Sequence, residues 1–113
     1  MRALTRDEEC LLVNAREGTE LWAVLADRAE TEEDEERDSY VPLLTALITD
    51  WTREGYVRLR QGGAWPHWLT DGRDVPVEEV PTVLADPASW AYEEEPVSVV
   101  AVVVGARPVD DLF

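Results

Sequence analysis

Apolar side chains recur at helical spacing through Tyr40, Leu44, Leu47 and Trp51, then change to a period of two in Tyr56-Val57-Arg58-Leu59-Arg60. Gly55 stands between the two patterns, where a helix C-cap calls for a left-handed residue. The pattern predicts a helix that starts near Ser39 and stops at Gly55, followed directly by a strand over Tyr56–Arg60. Pro42 sets the start, because proline is tolerated in a first turn and kinks a helix interior.

Upstream, Thr5 and Glu8 have the spacing of a capping box, which predicts a first helix through Cys10, Leu11, Leu12 and Val13 that ends at Gly18. Thr19 is the expected cap of a second helix with Leu21, Trp22, Val24, Leu25 and Ala29 on its apolar face, after a short strand pairing at Thr19–Leu21. Glu30–Asp38 has nothing to bury. It reads either as a solvated loop or as the acidic first turns of the third helix, where the macrodipole favours carboxylates. Downstream, Gln61-Gly62-Gly63 ends the strand pattern, and no second strand is expected before Val97. Residues 61–96 are long for a structureless loop and predict a short helix between Pro76 and Ala85, capped by Asp74, with Val80, Val83 and Leu84 facing inward. Asp86-Pro87 ends that helix. Val97–Val104, apolar on both faces apart from Ser98, predicts a last strand covered on both sides.

Three helices, a strand, a long wing and a return strand make an α+β order that resembles the winged-helix superfamily over most of the chain. The Leu21-Trp22 step, the Glu54–Gly62 turn and the Leu84–Trp90 segment also resemble a set of small bacterial, actinobacterial-type winged-helix-like proteins. The resemblance implies three N-terminal helices and a small antiparallel sheet with a long wing insertion that contains a short helix. It carries no catalytic residue across. The expected organisation is one domain over residues 1–105, with the wing at 61–96 and a tail at 106–113.

Charge narrows the function classes. There are 25 acidic residues against 10 basic ones, all arginine, for a net charge of −15. Such a balance repels phosphate backbones and acidic membranes and favours a basic partner. An apolar content of 45% is ordinary for a folded domain. Cys10 is the single cysteine, so no intramolecular disulfide is available and the cytoplasm is the expected compartment. No apolar h-region follows Met1-Arg2, and Val97–Val104 is too short to span a bilayer.

A winged helix raises DNA binding first, and the residues that would serve it are Thr45, Thr49 and Arg53 on the third helix with Arg58 and Arg60 on the strand. Arg58, Arg60 and Arg73, which could touch phosphates from the wing, are a thin footprint in this acidic field, and pairing with surface carboxylates is the simpler role. Catalysis has little support: a Cys10/His67 dyad would have to join the first helix to the wing, and Cys10 reads as a core filler. His67 with Asp71 or Asp74 has no zinc-ligand spacing, and Gly62-Gly63 opens no phosphate loop, so neither a metal nor another cofactor is expected. The aromatic set Trp65, Trp68, Trp90 and Tyr92 reads either as a small hydrophobic cluster in the wing or, where exposed, as interface anchors.

The expectation is a non-enzymatic protein–protein module that meets a basic partner through Glu32, Glu33, Glu35, Glu36 and Asp38 with Trp65 and Trp68. Acidic inhibitors of basic nuclease toxins, of the immunity or antitoxin kind, have this composition. The alternatives are a DNA-binding transcriptional regulator, compatible with a homodimer, and a ligand-binding or enzymatic wing pocket around Trp65, His67 and Trp90.

Overall fold

The computed structural model describes residues 3–31, 33–63, 67–94, 96 and 98–109. Helix α1 spans Arg6–Glu17, and its capping box is closed: Glu8 N–H donates to Thr5 Oγ1 at 3.2 Å and Thr5 N–H donates to Glu8 Oε1 at 2.9 Å. Strand β1 is Thr19–Glu20, and α2 follows at once as Leu21–Ala29. Thr19 is therefore a strand residue rather than the cap of α2; its hydroxyl donates to the Asn14 carbonyl at 2.9 Å. Glu20 occupies the N-cap position, makes no capping bond, and accepts from Trp22 Nε1 at 2.7 Å instead.

The acidic run forms its own short helix, α3, Asp34–Asp38, with none of its residues buried. Helix α4 then covers Val41–Glu54, two residues later than the periodicity predicts, because Ser39 and Tyr40 form the turn out of α3. Leu44, Ile48 and Trp51 point into the core, and Gly55 ends the helix at φ 84°, a left-handed conformation that is strained for any residue with a Cβ. Strand β2 is Val57–Gly62.

The chain turns back much sooner than Val97. After α5, His67–Thr70, a two-residue strand β3, Arg73–Asp74, pairs with β2 through Arg60 with Asp74 and Gln61 with Arg73. Asp74 thus belongs to the sheet and caps no helix. A 3-10 turn at Val77–Glu79 leads into α6, Val80–Ala85, and Asp86 caps the following turn by accepting from Ala88 N–H at 3.0 Å. Strand β4 is Val99–Val104; Val97, the expected first residue, lies outside the described residues.

The four strands are antiparallel in the order β1-β4-β2-β3. Alternation along β4 divides the core. Val100 and Val102 face the main cluster with Val57, Leu59, Leu11, Leu21, Leu44 and Ile48, whereas Ala101 and Val103 face Trp68 on the opposite side. Both faces are covered, as the run of valines predicts, and α5 is the cover of the second. The expected boundary at residue 105 falls inside the packed unit. Arg107 N–H donates to the Gly55 carbonyl at 3.0 Å, its guanidinium lies over the Tyr56 ring at 4.8 Å, and Val109 packs against the main cluster. Among the described residues no helix is long and apolar enough to cross a membrane.

Candidate functional site

The DNA-binding set is divided between α4 and the sheet, and its two strand arginines are engaged within the chain. Thr45 and Thr49 are half-buried on α4, and Arg53 is exposed beside Asp50 and Glu54. Arg58 and Arg60 sit on the sheet face that α5 covers. Arg58 donates to the Val104 carbonyl at 3.1 Å and to Asp74 at 3.2 Å. Arg60 donates to the carbonyls of Trp68 at 3.2 Å and Gly72 at 2.6 Å and to Asp74 at 2.8 Å. These two arginines tie the wing to the sheet and share the single Asp74 carboxylate.

The aromatic expectation needs correction. Trp65 lies outside the described residues; Trp68 is 1% exposed and presents no surface to a partner. Trp90 is also buried, with its Nε1 donating to the Leu84 carbonyl at 2.9 Å. It belongs to the main core, whereas His67 stands on α5 over the other face of the sheet, so no one cleft joins them. His67 Nδ1 faces Asp71 at 3.9 Å with both side chains exposed. Among the described residues no three His, Cys, Asp or Glu side chains are placed to share a metal ion.

Cys10 is half-buried between α1 and α2, where its Sγ donates to Asp27 at 3.7 Å and Asn14 Nδ2 reaches both Asp27, at 2.9 Å, and the Cys10 carbonyl, at 2.8 Å. Burial first, then the Asp27 charge and its hydrogen bond, push the thiol up from 9.0 to about 11. Only about one thiol in a thousand is then ionised at pH 8. We expect native Cys10 to react with a thiol reagent at pH 8 at least ~10-fold more slowly than the unfolded chain does. Because the folded value is raised, the associated stability is complete below 9.0 and is lost as pH rises toward 11. Equal native and unfolded alkylation rates would contradict this environment.

The described carboxylates from Glu33 to Asp38 lie at the surface. Glu33, Asp34, Glu35, Glu36 and Asp38 are exposed, and none is ion-paired among the described residues. Glu32 lies outside them. Arg37 anchors the segment by donating to the Thr31 carbonyl at 3.0 Å. Asp38 stands on the rim of an apolar groove of about 500 Å³ lined by Val41, Pro42, Leu84, Pro87 and Ala91. Ala91 also lines a second concavity, of about 400 Å³, between Trp22 and Tyr92. Those rings meet edge to face with centroids 4.8 Å apart, and Tyr92 is 60% exposed. Trp22 is set on α2 one residue after the buried Leu21, about 100° around the helix from it, which is the only sign in the sequence that its ring reaches the surface.

Compared with protein-family models, curated proteins and solved structures, the chain matches none.

Proposed function

We propose that this chain is a cytoplasmic, non-enzymatic interaction module of winged-helix-like architecture that binds a basic protein through the α3 face, in its sharpest form as an immunity- or antitoxin-like inhibitor. The winged-helix part is supported by connectivity: α1, β1, α2, α4, β2 and β4 follow in chain order, with β4 inserted between β1 and β2. The observation that carries the functional part is the contrast in charge pairing. Arg58, Arg60, Arg73 and Arg107 are engaged by carboxylates of the same chain, while the four carboxylates of α3 and that of its N-cap residue Glu33 are exposed with no such pairing among the described residues. An unpaired acidic surface on a chain of net charge −15 attracts a basic partner at long range and speeds encounter.

The test is capture by the tagged protein from nuclease-treated lysate of its own source, at low and high salt. The expected result is a stoichiometric basic protein released by salt. With that protein in hand, Glu35→Lys with Glu36→Lys is expected to lower the association rate about tenfold at low salt and to change dissociation little. An unchanged on-rate at low salt refutes the α3 surface. Recovery of DNA when nuclease is omitted, with only background protein, would favour the regulator reading instead.

A further inference from the structure

The concavity between Trp22 and Tyr92 exists because β1 is only two residues long. At Leu21 the chain leaves the sheet to become α2, so β4 beyond its pairing with Glu20 has, among the described residues, no strand neighbour on that side. At this edge lies a pocket of about 400 Å³ whose lining includes Val99, Val100, Trp22 and Tyr92.

We propose that this pocket receives the guanidinium of an arginine on the basic partner. The inference rests on the reading above, that the partner is a basic protein. Three observations converge on that ligand. The first is the aromatic pair: Trp22 is held by its Nε1 bond to Glu20 at 2.7 Å, and Tyr92 leans on it while keeping most of its surface free. A fixed indole and an exposed phenol offer π faces to a cation at little conformational cost.

The second is charge. Among the described residues, Glu20, Glu93 and Glu94 line the pocket, no arginine does, and Glu93 and Glu94 have no ion-pair partner. The aromatic walls select within the class of cations. A planar, weakly hydrated guanidinium stacks on a ring and bonds a carboxylate through its edge, which a compact ammonium ion does less well.

The third is position. Ala91 is shared with the groove that Asp38 borders, so a partner seated on α3 continues along Pro87 and Ala91 to reach the aromatic pair.

The experiment is a two-dimensional NMR titration of the full chain with N-acetyl-arginine amide, and with N-acetyl-citrulline amide as the uncharged analogue. The Trp22 indole N–H is assigned by its absence in Trp22→Phe. The arginine probe is expected to shift this signal saturably with a Kd on the order of 10 mM, and the citrulline probe to bind at least ~10-fold more weakly. Tyr92→Ala, a change at an exposed ring, is expected to weaken the arginine probe at least ~5-fold, and Glu93→Gln with Glu94→Gln to do the same without touching the aromatic pair. Equal shifts with both probes, no saturation below about 100 mM, or full binding by both variants overturns the pocket. Failure here is separable from failure of the α3 reading. A silent titration alongside slowed association in the Glu35/Glu36 variant removes only the pocket, and a positive titration with unchanged association removes only α3.

Discussion

Trp68→Ala is expected to cost about 3–5 kcal/mol of folding stability and to lower Tm by more than about 10 °C. Trp68 is 1% exposed and is, among the described residues, the largest side chain on the outer face of the sheet, where it covers Ala101 and Val103. Its helix, α5, has four residues, too few to be stable by backbone hydrogen bonding alone, so its position depends on the indole. Removing the ring therefore leaves a cavity over two buried strand positions and also releases the element that covers them. The same approach is tight at the other edge of the ring: a Cβ added to Gly18 would stand 3.3 Å from Trp68 Cη2. Urea and thermal unfolding of the variant check the figure, and Trp68→Phe should recover more than half of the loss. An interface anchor would behave in the opposite way, with stability kept and binding lost. Unchanged unfolding in Trp68→Ala would return Trp68 to the surface.

What could be read from the sequence depended on how local the determinant was. The capping box at Thr5 and Glu8, the helical stripe of α4 and the left-handed stop at Gly55 are each decided within a few residues, and all were legible. Strand β3 was not. Two residues cannot show a period, and β3 forms because β2 supplies its partner and Gly72 lets the chain pass Trp68; a Cβ there would lie 2.2 Å from the Trp68 carbonyl oxygen. Trp68 was misplaced for the same reason, since a short helix after Pro66 has no stripe that shows which side faces inward. The acidic run was legible as a surface but not as the helix α3. Trp22 and Tyr92 come from distant parts of the chain, and no local pattern announces that they meet.

Arg60→Ala is the second large effect, expected at about 2–3 kcal/mol. On the sequence alone Arg60 is a candidate phosphate contact, yet its side chain is only 17% exposed and its guanidinium is divided among three acceptors. Two of these are the carbonyls of Trp68, within α5, and Gly72, just before β3, both of which accept from the guanidinium. Alanine would leave both without this donor in a partly buried site, and a buried acceptor left without its partner costs more than the bond contributes net. Asp74 would keep Arg58, so the ion pair is the smaller part of the loss. Arg58 makes the useful control: half exposed and paired to the same carboxylate, it should cost less than about 1 kcal/mol when replaced by alanine. Chemical denaturation of the two variants separates the roles. A phosphate contact would leave both proteins as stable as the parent and change only a salt-dependent affinity for duplex. A structural clasp instead places nearly all of the loss on Arg60, and the destabilised protein should show early exchange of the α5 and β3 amides, because those elements lose the side chain that joins them to β2.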